Sequence, residues 1–229
     1  MRALILITLA GCEHGQTPAG SDGAGPTDGD VTDCNPELLI EGELIDWESS
    51  EAAFAGVFGA TVTQIGDSTV TLTTAPNGRL SLCAARSDPF AFTVDGSADG
   101  HLSGTLTIEP NAVLGGFTPL SLRTLTQTRA ASFFTEHGLT FDPAAAQVVV
   151  FQAGDRGALT LSGTHDPAQQ GEDVGTGVIW TEGTAGRYVL FPNVTPTANV
   201  QLSGDPLGPR PVPAIEGQVS LVVISFVLE

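Results

Sequence analysis

Residues 69–82, which read TVTLTTAPNGRLSL, carry the clearest structural pattern in the chain. Polar and apolar side chains alternate with a period of two on both sides of Pro76-Asn77-Gly78, as they do in half-buried β-strands. Proline, asparagine and glycine are typical of a tight turn, where glycine supplies a positive φ. These residues predict two strands joined by a short connection, and hence a mainly β fold.

Similar short β-rich segments recur at intervals of roughly ten residues, the spacing typical of a β-sandwich. The final segment, residues 218–228, is about half the length of a membrane-spanning helix and rich in β-branched residues, so we predict a buried terminal strand. The other predicted strands lie at residues 38–45, 59–65, 69–74, 79–84, 90–94 and 104–108, and then at 147–152, 158–162, 177–181, 187–191 and 199–202.

A helix is predicted between these two groups of strands, at residues 121–137. Ser121 can cap its first turn, and Gly138 can end it. The body of the chain is therefore divided into a first β-sandwich domain at residues 36–110, a helical connector at 111–141 and a second β-sandwich domain at 142–229.

A weak internal repeat indicates that the two groups of strands are copies of one fold. Residues 73–82 match residues 181–190 at an offset of 108 positions, and residues 59–63 resemble residues 157–161 at an offset of 98. The second copy therefore requires an insertion, which we place in the acidic, glycine-rich segment 165–177.

The first group resembles a known family through the pattern G-x-L-x-D, F-x-G-V-x-G-A-T-V and T-T-x-x-N-G-R-L-S-L, carried by Gly42, Leu44, Asp46, residues 56–62, Thr73, Thr74 and residues 77–82. This pattern is similar to the carboxypeptidase regulatory-like domain, a transthyretin-like β-sandwich. The second group resembles the same domain through residues 181–190 and the following Phe-Pro-Asn-Val-Thr-Pro. The resemblance implies two tandem transthyretin-like sandwiches joined by one helix. It implies no activity, because such modules accompany enzymes, receptors and surface proteins alike.

The first 12 residues read MRALILITLAGC, in which one arginine precedes a short uncharged segment and a cysteine. The segment is too short to span a membrane as a helix but fits the apolar region of a secretory signal. Its end, Leu-Ala-Gly-Cys12, resembles the lipobox of bacterial lipoproteins. That resemblance implies a signal peptide at residues 1–11, lipidation of Cys12, and anchoring in the cell envelope, at the periplasmic or surface face of the outer membrane. An ordinary secretory peptide with a chance cysteine is the alternative.

Residues 12–35 are predicted to form a flexible acidic tether, since they are rich in glycine and proline and almost free of apolar side chains.

The chain has 8 basic residues, all arginine, against 26 acidic ones, for a net charge of −18. It lacks the basic face that nucleic-acid binding requires and the basic clusters that hold proteins on anionic lipid. The predicted contact with the membrane is therefore the lipid itself.

Two cysteines, Cys34 and Cys83, remain once Cys12 carries lipid. An even pair in an exported protein predicts a disulfide, which here would pin the start of the first domain to one of its strands. Two free buried thiols are the alternative.

The catalytic motifs that we considered are missing from the sequence. None of the four histidines lies in an HExxH or similar spacing, no GxSxG is present, and the cysteines form no CxxC. We therefore predict no catalytic residue, no metal site and no cofactor. A hydrolase that uses scattered carboxylates is the remaining catalytic alternative.

Two tryptophans suit a ligand platform. Trp47 lies between Asp46 and Glu48, and Trp180 ends a predicted strand near Glu182, so an exposed indole beside a carboxylate could stack on a sugar. Burial of both rings in the core is the alternative.

The predicted function is a non-catalytic, lipid-anchored envelope lipoprotein that acts as a binding or structural module with a protein or glycan partner. The alternative is an accessory module that recognises carbohydrate or peptide for a separate enzyme.

Overall fold

The computed structural model of the chain describes residues 34, 37–47, 55–85, 88–114, 120–174, 178–204 and 208–226. This part of the chain is mainly β, as predicted, with two short α-helices. The predicted signal peptide, Cys12 and nearly all of the predicted tether lie outside the described residues. The elements in chain order are β1 (Leu38–Asp46), β2 (Thr61–Gln64), β3 (Thr71–Thr73), β4 (Arg79–Ala84), β5 (Phe90–Asp95), β6 (Gly104–Ile108), α1 (Pro110–Leu114), β7 (Leu120–Thr124), α2 (Gln127–Glu136), β8 (Ala146–Gly154), β9 (Leu159–Leu161), β10 (Gln169–Asp173), β11 (Val178–Glu182), β12 (Tyr188–Val194), β13 (Thr197–Gly204), β14 (Arg210–Ala214) and β15 (Val219–Phe226).

The strands form one large sheet and two small ones. The large sheet has nine strands in the order β11-β10-β12-β8-β15-β6-β5-β2-β3. The small sheets have three strands each, β4-β1-β7 and β14-β13-β9. Most neighbours are antiparallel, but β15 is parallel to both β6 and β8, and β1 is parallel to β7.

Each small sheet covers a different face of the large one. The sheet β4-β1-β7 and helix α2 share a core with one face of the large sheet, where Val149 and Leu221 are buried. The sheet β14-β13-β9 packs on the opposite face, where Val148 and Val222 are buried. Strands β8 and β15 are therefore covered on both faces, which explains why their sequences are apolar without alternation.

The C-terminal strand confirms the prediction of a buried strand and adds an unexpected pairing. Ser220 of β15 pairs with Thr105 of β6 on one side and with Val148 of β8 on the other. The predicted boundaries at residues 36–110 and 142–229 therefore separate strands that belong to one sheet.

The predicted helix at residues 121–137 is wrong in its first part. Residues 120–124 form β7, which pairs in parallel with β1. Helix α2 begins after Thr126, whose hydroxyl accepts a hydrogen bond from the backbone N–H of Arg129 at 3.1 Å. Ser121 is therefore a strand residue and does not cap the helix. The leucines of this segment fit a strand as well as a helix, and pairing with β1 decides between the two.

The two segments of the weak repeat occupy different places in the structure. Strands β3 and β4 belong to different sheets, whereas β11 and β12 both belong to the large sheet. The segment 165–177, predicted as an inserted loop, contains the strand β10. The predicted turn at Gly78 is present, with a φ of 73°, and a Cβ there would lie 2.1 Å from the carbonyl oxygen of Leu44. Only glycine satisfies both the turn and this close approach.

One part of the large sheet is left uncovered. The sheet β14-β13-β9 ends above β15, where the Ser220 hydroxyl donates to the carbonyl of Pro213. At the same border, Arg210 Nε of β14 lies 2.7 Å from the carboxylate of Glu109, which follows β6. Beyond this border, the described residues place no layer on that face of β6, β5, β2 and β3, and its side chains include the exposed Thr61 and Thr93.

Candidate functional site

The structure brings the two predicted platform tryptophans into contact. Trp47 follows β1 and Trp180 lies in the edge strand β11, and their rings stack with centroids 4.6 Å apart and an interplanar angle of 11°. Phe133 of α2 meets both rings edge-on, at 5.3 Å and 5.5 Å. We call these three side chains the aromatic cluster.

The burial of this cluster corrects the prediction of an exposed ligand platform. Trp47 is 0% exposed and Trp180 is 8% exposed. Neither face of the Trp47 ring is open to a ligand, because the ends of two sheets and a helix converge on it. Both indole N–H groups are buried without a hydrogen-bond partner among the described residues. Their desolvation opposes folding, whereas burial and stacking of the rings favour it.

A glycine opposite Trp180 makes room for its ring. Gly171 of β10 pairs with Trp180 of β11, and a Cβ on this glycine would lie 2.9 Å from the nearest ring atom. The indole therefore lies across the neighbouring strand and reaches Trp47. This glycine is the sequence signal that could have indicated an inward tryptophan, since a glycine inside a strand often marks a close approach.

A buried arginine lies beside the cluster and joins two sheets. Arg123 of β7 is 2% exposed and donates hydrogen bonds to the carbonyl oxygen of Trp47 at 3.1 Å and to the carboxylate of Asp173 at 3.3 Å. Its guanidinium lies 4.4 Å from the ring centroid of Tyr188. Sequence reasoning placed Arg123 in a helical connector and missed this role. The sequence signal for a buried arginine was its position among the three leucines of residues 120–125, which read LSLRTL.

A second polar cluster lies where β1 ends. The imidazole of His101 is 7% exposed, with Nε2 at 3.6 Å from a carboxylate oxygen of Asp46 and Nδ1 at 3.5 Å from one of Asp99. His101 also forms an isolated bridge with Thr126, the residue that caps α2. These contacts hold the end of β1, the start of α2 and the large sheet together.

Across the described ranges, no three or more His, Cys, Asp and Glu side chains are grouped so that they could hold a metal ion. The helices of these ranges are all too short or too polar to cross a membrane.

The predicted disulfide is present between Cys34 and Cys83, whose Cα atoms are 5.3 Å apart. Cys83 lies in β4, an edge strand of the sheet β4-β1-β7. The bond therefore fastens the chain just before β1 to the neighbouring strand. Cys34 is the one residue of the predicted tether, residues 12–35, that lies within the described ranges.

Two carboxylates have pKa values below their usual range. Hydrogen bonds from the hydroxyl and backbone N–H of Ser97, and from the hydroxyl of Ser103, lower the pKa of Asp95. The hydroxyl and backbone N–H of Thr69 lower the pKa of Asp67. Asp95 is exposed and Asp67 is half-buried, and both stabilise turns that border the uncovered part of the large sheet.

Known proteins show little likeness to this chain. No protein-family model matches it, and no curated protein matches it. A solved structure described as a "putative cell adhesion protein" from Bacteroides fragilis NCTC 9343 aligns with 83% of this chain and 94% of its own length, at 9% identity and a TM-score of 0.18. A similarity of that size carries no argument about fold family or function.

Proposed function

We propose that the chain is a non-catalytic lipoprotein of the cell envelope, held in the outer membrane by lipid on Cys12, and that its β-rich body is a binding or structural module. The membrane is its first partner, reached through the lipid. A protein or glycan of the envelope is the second.

The disulfide is the observation that carries this proposal. Disulfides form and persist in oxidising compartments outside the cytosol, so the Cys34–Cys83 bond supports export. Export agrees with the signal-like segment at residues 1–11, and Cys12 supplies the thiol that lipid attachment requires. A stable anchor requires more than one acyl chain, which a mature lipoprotein has.

The packing of the polar clusters supports a module without catalysis. Arg123 is bonded to a backbone carbonyl and a carboxylate, and His101 lies between two carboxylates, so each cluster joins separate elements.

A role in carbohydrate or peptide recognition is the second candidate. The uncovered part of the large sheet favours it, since that surface lies outside the layers that build the core.

The proposal is tested by the intact mass of the protein in membrane fractions, compared with a Cys12→Ser variant. We expect a chain that begins at Cys12 and carries lipid mass, and we expect the variant to lose both the lipid and the membrane association. A soluble wild-type protein without lipid would contradict the proposal.

A further inference from the structure

We propose that the uncovered face of β3, β2, β5 and β6 binds a neutral, hydroxyl-rich polysaccharide that lies flat across the strands. This inference rests on the proposed function as a binding module and names the class of its partner. We call the surface the threonine face and define it by Thr61, Thr63, Thr71, Thr73, Ala91, Thr93, Asp95, Thr105 and Thr107.

The strand register places these side chains in rows. Thr71 pairs with Thr63, Thr63 with Thr93, and Thr93 with Thr105, so four threonines lie side by side on four neighbouring strands. The row ends at β6, where Thr105 is 8% exposed, because the next residue, Ser220 of β15, is 2% exposed and lies under Pro213 of β14. Four strands span about 14 Å, because neighbouring strands are about 4.8 Å apart. A row of that length suits a polymer better than a small molecule.

A second row runs beside the first. Thr73 pairs with Thr61, and Thr61 pairs with Asp95. The two rows are about 6.7 Å apart, which is the distance between successive side chains on one face of a strand. The hydroxyls of Thr63 and Thr71 are 2.7 Å apart, which shows that side chains in the same row reach one another.

The chemistry of the face matches a polyol. A threonine hydroxyl can both donate and accept hydrogen bonds, as sugar hydroxyls do. Thr71 and Thr93 already donate to the carbonyl oxygens of Val62 and Thr63, so their hydroxyls are open to a ligand as acceptors. Each threonine also carries a methyl group, and the exposed Ile65 follows directly after β2. Together they supply the apolar contacts that the C–H faces of sugar rings require.

The charge of the face indicates a neutral partner. The chain has a net charge of −18, yet Asp95 is the one charged side chain within the threonine face as defined above. Glu109, at its border, is paired with Arg210. A cationic partner would be drawn to the acidic remainder of the surface, and an anionic one would be repelled by the net charge.

The disulfide lies on the other side of the large sheet from the threonine face. Cys34 is bonded to β4, and the sheet β4-β1-β7 packs on the opposite face of the large sheet.

The test is co-sedimentation of the full-length detergent-solubilised protein with microcrystalline cellulose and insoluble mannan, with chitosan as a cationic comparison. The face variant carries Thr61→Val, Thr73→Val and Thr93→Val, which remove hydroxyls but keep shape and strand propensity. The matched control carries Thr160→Val, Thr181→Val and Thr197→Val at exposed positions of β9, β11 and β13.

We expect wild type and control to bind at least one neutral polysaccharide equally, and the face variant to bind about tenfold more weakly or worse. A Thr93→Arg variant, which places a bulky group in the middle of the face, should abolish binding. Unchanged thermal unfolding of each variant, followed by tryptophan fluorescence, shows that the fold is retained.

Three results of the binding assay would overturn the inference. They are no sedimentation with either neutral polysaccharide, equal losses in face and control variants, or binding to chitosan alone. A threonine face that joins two copies of the chain would instead show as a dimer in sedimentation velocity that Thr93→Arg dissociates, and that result also overturns it. The mass of the membrane-bound protein is measured separately, so failure of polysaccharide binding leaves the lipoprotein proposal standing.

Discussion

Removal of the Cys34–Cys83 disulfide should lower the free energy of unfolding by about 4 kcal/mol. The two cysteines are 49 positions apart, and closing a loop of that size in the unfolded chain costs about 4 kcal/mol of entropy at 25 °C. In the folded state the bond joins β4 to the chain just before β1, and these two strands already pair, since Leu39 lies opposite Cys83. Reduction therefore acts mainly on the unfolded chain.

Urea unfolding with and without reductant measures this effect. Trp47 and Trp180 are buried and stacked in the folded state, so their fluorescence reports its loss. With a slope of about 2 kcal/mol/M, the midpoint should fall by about 2 M on reduction. A Cys34→Ser/Cys83→Ser variant should have the same urea midpoint as the reduced wild type, and the reductant should not change it.

A reduction effect below about 1 kcal/mol, with the disulfide verified by mass before the experiment, would refute this reasoning. It would mean that the unfolded chain already keeps these two segments close together, so that the cross-link removes little entropy.

Three further predictions concern the packing of the interior and the stability of the protein at low pH. Gly171→Ala should displace the Trp180 ring, since a Cβ at that position would lie 2.9 Å from the ring. We expect the free energy of unfolding to fall by about 1–3 kcal/mol and the near-UV circular dichroism to change. An unchanged spectrum and urea midpoint would contradict the packing. Arg123→Met should lower the free energy of unfolding in urea by about 1–3 kcal/mol, because it leaves the Trp47 carbonyl without this donor, while solvent reaches the half-buried Asp173. A variant as stable as wild type would contradict the role of Arg123 in joining the sheets. The lowered pKa of Asp95 contributes stability that is present above its ordinary value of 3.8 and is lost as the pH falls through the lower folded value. In Asp95→Asn the melting temperature should therefore depend less steeply on pH below about pH 4. Identical plots of melting temperature against pH for the two proteins would exclude this contribution.

Much of the local structure was predictable from neighbouring residues. The strands near residues 59–65, 69–74 and 79–84 follow from alternating side chains, and their turns follow from glycine, proline and asparagine. The disulfide was predicted from the number of cysteines in a chain with a predicted export signal. Each of these inferences depends on residues close together in sequence, or on simple chemistry that needs no coordinates.

The candidate site was predictable only in part. Trp47 and Trp180 were identified as residues of interest, but their stacking depends on where β1, α2 and β11 meet. Arg123 was assigned to a helix because Leu122, Leu125 and Phe133 approximate one apolar stripe of a helix, although Leu120 and Leu122 also fit the alternation of a strand. Pairing of β7 with β1, nearly eighty residues earlier in the chain, resolves this ambiguity.

The β character, the turns, the paired cysteines and the acidic charge could be predicted, because they follow from residue type and short-range alternation. Coordinates were needed to show that β15 joins β6 to β8, that both tryptophans face inward, and that the described residues leave a face rich in threonine uncovered. Those features depend on which distant strands pair, and that choice minimises the exposed apolar surface of the whole chain rather than of any one segment. Threonine alternates with apolar residues in a strand whatever covers it, so the sequence pattern alone could not show that this face is left uncovered.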